Sequence, residues 1–292
     1  VIRMSKKSGK KKNPWIWRIL FVIALGVFIY SGYQLYDIFS QNHEEGKEKA
    51  ELINIAEIPE KPKPEEEPFT INWKALKEAN PEIVGWIIIP DTDINYPIVH
   101  GSDNSFYLTH TFLKAENYAG AIFMDYQANG EFKDNNTFIF GHNVKHGTMF
   151  AELENFKDAG FYTSHPYVYL FTPDGNYRCE VISMYSTKDG SPSYTTYSGD
   201  EQSYLAYIDM IKGLAENKRD VEMNASDRMI TLSTCSYEVN GEASDARYLL
   251  HAKMVPWNGE YKVKENNEYE NKDQEAIKIN EREDLSTFKS FK

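Results

Sequence analysis

Residues 229–235 read Met229-Ile-Thr-Leu-Ser-Thr-Cys235, a short run in which side-chain character alternates. Because successive side chains of a β-strand point to opposite faces, the run has two faces, formed by Ile230, Leu232 and Thr234 and by Thr231, Ser233 and Cys235. The run therefore predicts a strand that ends in a thiol beside a polar loop at 236–245. The next apolar run begins Ala246-Arg-Tyr, so Arg247 lies close to Cys235 if the two strands form a hairpin.

Similar runs of β-branched and aromatic residues, separated by turn residues, occur on both sides of this strand and predict eight strands in all. They are 83–89, 94–99, 121–126, 137–140, 167–171, 177–185, 229–234 and 246–255. Pro173-Asp-Gly-Asn is typical of a hairpin turn. Helices are predicted at 72–80, 147–156 and 201–216. Many short strands with few helices favour a mainly β fold, either a barrel or a sandwich.

The N-terminal region predicts a membrane anchor. Residues 1–18 contain seven cations and no acid, and residues 15–36 are apolar except for Arg18, Ser31 and Gln34. At 1.5 Å per residue, 22 helical residues span roughly 33 Å, about one bilayer core. We expect a basic cytoplasmic tail at 1–14, a transmembrane helix at 15–36, and everything after residue 40 outside the cell. A cleaved signal peptide is the alternative, but no small-x-small cleavage site follows the apolar run.

The remaining chain divides by composition. Residues 37–68 are acidic and contain prolines, which predicts a spacer between membrane and domain. Residues 69–257 carry the strands, and residues 258–292 are charged and predict a solvated tail. The net charge of −12 argues against nucleic-acid binding through a basic surface. Two cysteines are too few for a disulfide scaffold or a four-thiolate zinc site.

Three residues at predicted strand ends could form a reactive site. Cys235 ends one strand, Arg247 begins the next, and His142 follows the strand 137–140 in a Gly-His-Asn turn. These residue types supply a nucleophile, a proton carrier and a cationic group for an oxyanion.

Other interpretations of the same residues remain open at this point. Cys179 and Cys235 could form a disulfide outside the cell. His142 could be an ordinary turn residue and Arg247 a solvated one. His142 and His146 have the i, i+4 spacing of a metal site, but Asn143 stands where the zinc-protease motif needs Glu, so we expect no metal and no cofactor.

The combination of Thr231-Leu-Ser-Thr-Cys235, Arg247 and the upstream Gly141-His-Asn resembles the sortase family. Asn80-Pro-Glu-Ile-Val-Gly-Trp-Ile, Ile94-Asn-Tyr-Pro-Ile-Val, Ile122-Phe-Met-Asp-Tyr and the helix at 201–216 are similar to class B sortases. The resemblance covers about 69–256 and implies an eight-stranded β-barrel with flanking helices. It also implies that Cys235 is the nucleophile, His142 the general acid and base, and Arg247 the oxyanion or substrate-positioning residue. Cys179 should then be a free, buried residue.

The resemblance implies a cysteine transpeptidase on the outer face of the plasma membrane. Its partners would be secreted proteins with a C-terminal sorting motif, cleaved after Thr, and an amine of the cell wall. Asn143, Ser233 and Thr234 are expected to support the site, and the loop at 185–201 to help choose the substrate. A cysteine endopeptidase that uses water, or a non-catalytic binding barrel, are the alternatives.

Overall fold

The computed structural model describes residues 14–65, 69–144, 147–195, 200–235 and 245–257, and every predicted strand is present in a single sheet. The strands are β1 (Ile83–Ile88), β2 (Asn95–Val99), β3 (Phe123–Met124), β4 (Asn136–Phe140), β5 (Tyr167–Thr172), β6 (Gly175–Lys188), β7 (Asn217–Lys218), β8 (Met229–Cys235) and β9 (Ala246–Trp257). The two-residue β7 is the one strand here that was not predicted.

The sheet closes into an eight-stranded barrel. Its order is β5-β1-β2-β3-β4-β8-β9-β6, and pairing between β5 and β6 joins the ends, while β7 is attached outside the ring to β6. Closure leaves the ring without an edge and excludes the sandwich alternative. The β5–β6 turn is the predicted one, because Thr172 pairs with Gly175 across Pro173 and Asp174.

The helices α2 (Trp73–Ala79) and α4 (Glu201–Leu214) confirm two predictions and carry side-chain caps. Asn72 accepts a hydrogen bond from the Ala75 amide at 3.1 Å, and Asp200 accepts from the amides of Gln202 and Ser203. α4 packs an aromatic and aliphatic face on the barrel, formed by Tyr204, Tyr207, Ile208 and Ile211. The helical spacing of these apolar residues in the sequence was the basis for predicting α4.

The prediction of a helix at 147–156 is wrong. Gly147 and Met149 have φ angles of 91° and 57°, in the left-handed region, so the backbone there cannot continue a right-handed helix. A 3-10 helix instead spans Ala151–Lys157, and the short α3 follows at Ala159–Ser164.

The expected spacer at 37–68 is also corrected, because α1 runs without a break from Pro14 to Ala56. Its first part is the one described helix long and apolar enough to cross a membrane. Its last part lies on the barrel, where Leu52, Ile53 and Ala56 are buried together with Ile58 beyond the helix end. Acidic residues dominate the composition of this segment, and composition alone therefore suggested a solvated spacer. The apolar side chains that contact the barrel form only a narrow stripe.

Some predicted segments lie outside the described residues. They are residues 1–13 of the basic tail, residues 66–68, residues 196–199 of the loop at 185–201, residues 236–244 of the polar loop and the tail at 258–292.

A buried polar network runs across the barrel wall below the ends of β4 and β8. The fully buried His251 on β9 lies 2.9 Å from Thr231 Oγ1 through Nδ1 and 3.1 Å from the Tyr185 hydroxyl through Nε2. Thr231 donates to Asn136 Oδ1 at 2.7 Å, and Asn136 donates to the Tyr207 hydroxyl of α4. Hydrogen bonding of this kind makes burial of polar groups tolerable.

Candidate active site

Parallel pairing of β4 with β8 brings His142 and Cys235 to the same edge of the barrel. Phe140 pairs with Ser233, and the Gly141 amide donates to the Ser233 carbonyl at 3.2 Å. Beyond the strand ends, Asn143 Nδ2 donates to the Cys235 carbonyl at 2.9 Å. His142 is thus held between two residues that are both bonded to β8, although it lies 93 positions before Cys235 in the sequence.

Antiparallel pairing of β8 with β9 places Arg247 directly opposite Cys235. Directly opposite residues have Cβ atoms about 5 Å apart on the same face of the sheet. The hairpin expected from the sequence is therefore present, and the cysteine lies between the histidine turn on one side and the arginine on the other.

The three predicted residues line one cavity of about 260 Å³. Ser233 and Thr234 also line it. Asn143 is not among the lining residues but connects the histidine turn to β8 through its hydrogen bond to the Cys235 carbonyl. The remaining lining residues are Asn104, Leu108, Phe123, Phe140, Gly141, Asp189 and Tyr194. The exposed wall of this pocket is therefore apolar over most of its area, and several polar or charged side chains converge on it, as is typical of ligand sites.

The two cysteines have different environments, and both are free. Cys179 is completely buried in the middle of β6, and this burial raises the pKa of its thiol. Cys235 is partly exposed at the cavity. The disulfide alternative is excluded, and Cys235 is the cysteine that a substrate can reach.

The tautomer of His142 follows from its partner. Nε2 lies 2.8 Å from the Leu108 carbonyl oxygen. A carbonyl only accepts hydrogen bonds, so Nε2 carries a proton and, in the neutral ring, Nδ1 is the basic nitrogen. His142 can therefore accept and return a proton at Nδ1 while Nε2 stays bonded to Leu108.

Arg247 is partly buried at the cavity mouth and is bonded on two sides. One terminal nitrogen donates to the Ala246 carbonyl at 3.0 Å, and the other lies 3.3 Å from Asp189 Oδ2. The side chain of Asp189 is 62% exposed, so this ion pair holds the guanidinium in place and adds little stability.

Tyr194 is a site residue that the sequence did not single out, although it lies in the loop expected to choose the substrate. Its hydroxyl is 2.8 Å from Ser233 Oγ, and its ring stacks on Phe138 with centroids 5.5 Å apart. Burial raises its pKa to about 12, so the hydroxyl stays neutral at pH 7 and fixes the Ser233 side chain.

Gly141 is required for the close packing of the histidine turn. A Cβ atom at this position would lie 2.4 Å from Ile122 Cδ1 and 2.8 Å from Phe150 Cδ2. These distances are shorter than van der Waals contact, so a side chain would push the His142 backbone away from β8.

No group of three or more His, Cys, Asp or Glu side chains suitable for a metal ion occurs among the described residues. His146, the second histidine of the i, i+4 pair, lies outside them.

Comparison with known proteins agrees with this geometry. The sortase-domain family model matches residues 87–255, more than half of the chain. Sortase B of Listeria monocytogenes is 30% identical over 256 residues, which are 84% of this chain and 99% of that protein.

Solved structures give the same result. Sortase B from B. anthracis in complex with AAEK1 has a TM-score of 0.65 and 36% identity, covering 75% of this chain and all of that one. A crystal structure of sortase B complexed with triglycine has a TM-score of 0.59 and 31% identity, covering 63% of this chain and 85% of that one. The chain therefore belongs to the sortase family of cysteine transpeptidases and is similar to its class B members.

Proposed function

We propose that the cavity at the ends of β4, β8 and β9 catalyses transpeptidation, with Cys235 as nucleophile, His142 as general acid and base, and Arg247 as the oxyanion-binding group. The observation that carries the proposal is the strand register, which puts Arg247 opposite Cys235 and the His142 turn on the same β8 end. All three side chains line one pocket.

In the first half-reaction, the thiolate of Cys235 attacks the carbonyl carbon of the threonine in a C-terminal sorting motif. A C–S bond forms, and the peptide C–N bond after threonine breaks. The proton on Nδ1 of the His142 imidazolium passes to the leaving amine, so the departing peptide is neutral at its new end. The products are a thioester on Cys235 and a neutral His142.

In the second half-reaction, an amine attacks the thioester carbonyl. His142 Nδ1 removes a proton from the attacking nitrogen, an amide bond forms, and the C–S bond breaks to release the thiolate. A cysteine suits this reaction because a thioester is reactive toward amines. The second half-reaction regenerates the Cys235 thiolate and the His142 imidazolium, so no other reagent is needed.

Arg247 stabilises the negative oxygen that develops in both half-reactions. A guanidinium offers two parallel N–H donors with fixed geometry, which a lysine ammonium does not. Asp189 holds this group at the mouth before substrate binds.

The substrates are secreted proteins with a sorting motif, and the acceptor is an amine of the cell wall. A sortase B relative solved with triglycine supports an oligoglycine-like acceptor. The apolar part of α1 anchors the enzyme in the plasma membrane, with its basic tail in the cytoplasm and the barrel outside the cell.

Intact-mass spectrometry of the full chain in detergent tests the proposal. We expect a sorting-motif peptide alone to give a thioacyl adduct on Cys235, and added triglycine to convert it to ligated peptide. A C235A variant should give neither product. Release of hydrolysed peptide at the same rate with and without triglycine would instead establish an endopeptidase, and absence of any adduct would contradict the proposed substrate.

A further inference from the structure

Apolar side chains are exposed on one loop of the catalytic domain. Beyond α1, six large apolar side chains are exposed within the described ranges, and three of them, Phe106, Leu108 and Tyr118, lie between β2 and β3, while Tyr126 follows β3. The other two, Leu205 and Leu214, lie on α4. We call residues 104–120 the β2–β3 loop. A concentration of exposed apolar side chains in one segment is the feature from which a binding face can be inferred.

The same loop contacts α1 just past its apolar part. Gln41 accepts from Asn117 Nδ2 at 2.8 Å through its backbone carbonyl and from the Tyr118 amide at 2.9 Å through Oε1. The Tyr118 hydroxyl bonds to Asn42. The loop is therefore fixed at a known height along the helix.

That height corresponds to the headgroup region of a bilayer. The last large apolar side chain before the contact is Phe39, which is 68% exposed. Gln41 and Asn42 follow by two and three residues, or about 3–5 Å along the helix axis. Measured from residue 36, where the predicted span ends, Gln41 and Asn42 lie about 8–9 Å farther along the axis. Each headgroup layer is about 5–7 Å thick, so Tyr118 lies at its outer edge when α1 spans the membrane. Tyrosine and other aromatic residues favour this depth.

The loop also forms one wall of the active site. Its two halves run side by side, because the Asn117 amide donates to the Thr109 carbonyl and the Ala121 amide to the Tyr107 carbonyl. Gly120, at a φ of 63°, is so close that a Cβ would lie 2.8 Å from the Leu108 carbonyl oxygen. That carbonyl accepts the hydrogen bond from His142, and Leu108 lines the cavity.

We propose that the β2–β3 loop is a membrane-contacting surface and that Phe106, Leu108 and Tyr118 lie in the outer headgroup layer of the lipid bilayer. The inference rests on the proposed anchoring by α1 and adds a second point of contact to it. Two contacts fix how the barrel stands on the bilayer, with the wall that holds His142 facing the lipid. The cavity then opens at the membrane surface and not toward the outer wall.

Fluorescence quenching in lipid nanodiscs tests this placement. The parent is the full chain with Trp15 and Trp17 replaced by phenylalanine, and single F106W and Y118W substitutions are added to it. We expect lipid brominated near the top of its acyl chains to quench the added emission in both variants more strongly than in the control, because aromatic residues at the interface lie close to that depth. The control is N54W, because exposed Asn54 lies 12 residues beyond Asn42, about 18 Å farther along α1.

The outcomes separate the two proposals. A chain that does not co-elute with nanodiscs would contradict anchoring itself. A chain that co-elutes and unfolds at the parent temperature, but shows no more quenching at positions 106 and 118 than at 54, would overturn the lipid contact of the loop and leave anchoring intact.

Discussion

The two cysteines of this chain differ in their access to solvent and should differ in function. We expect C235A to abolish thioester formation and C179A to keep it, because Cys179 is sealed inside β6 and burial disfavours its thiolate. The measurement is adduct formation by intact mass. Equal loss in the two variants, with both folded, would contradict the assignment of Cys235.

Arg247 should be sensitive to the conservative change. R247K keeps the charge but loses the planar pair of donors, so we expect kcat to fall about 100- to 1,000-fold, the usual effect of removing an oxyanion donor. D189N is the matched control, since it removes the exposed partner of the same guanidinium. Its kcat should change far less, and a loss as large as that of R247K would assign the effect to the ion pair.

His251 should make the stability of the barrel depend on pH. Burial lowers its pKa to about 3, so it is neutral in the folded protein, whereas in the unfolded chain it protonates near pH 6.5. The contribution of neutral His251 to the free energy of unfolding is complete above pH 6.5. It is lost as the pH falls toward 3, at about 1.4 kcal/mol per pH unit. At pH 5 this amounts to about 2 kcal/mol.

Urea unfolding of a fragment from residue 41 at pH 7 and pH 5 measures this loss. H251N should lose less free energy of unfolding between the two pH values than the parent, because asparagine does not titrate. H100N, at a position that is not fully buried, should keep the parent difference. The same pH difference in H251N and the parent would show that another group is responsible.

At the scale of elements, strands could be predicted within a few residues because their alternation reflects the barrel wall directly. The strand prediction for 121–126 was too long, since only Phe123–Met124 has ladder partners. The helix predicted at 147–156 does not form because the backbone at Met149 is left-handed. A positive φ cannot be predicted from the presence of a methionine. The contact between the last part of α1 and the barrel was not predicted, because only a few residues of the helix are buried there.

The turn between β4 and the 3-10 helix should not tolerate a side chain at Gly141. We expect G141A to lower kcat by displacing His142, and to lower the melting temperature, because its Cβ would contact Ile122 and Phe150 too closely. G175A is the control, since no atom lies within 4 Å of a Cβ placed at Gly175. Unchanged kinetics in G141A would show that the turn can adjust.

The docked end of α1 should stabilise the catalytic domain. Leu52 is completely buried against the barrel, so L52A should reduce the free energy of unfolding by about 3 kcal/mol. E51A changes the neighbouring exposed residue and should have little effect. Equal stability of L52A and the parent in urea unfolding would show that the helix is only loosely attached.

At the scale of the whole molecule, the candidate site could be predicted only in part. His142, Cys235 and Arg247 were predicted from strand ends and from the family resemblance, and the structure brings them together. Tyr194 was missed because its role depends on Ser233, 39 residues away, and on a stacking contact with Phe138. The order of strands around the barrel likewise depends on long-range pairing that no local pattern encodes.

The parallel pairing of β4 and β8 has a consequence for when the folding chain assembles its site. Residues 136–140 and 229–233 must find each other across a long intervening stretch, and such non-local contacts form slowly during folding. Until they do, Cys235 lies opposite Arg247 in the local β8–β9 hairpin, but His142, the residue proposed above as its proton carrier, is not held beside it. Under the mechanism proposed above, Cys235 therefore gains its full set of partners only late in folding.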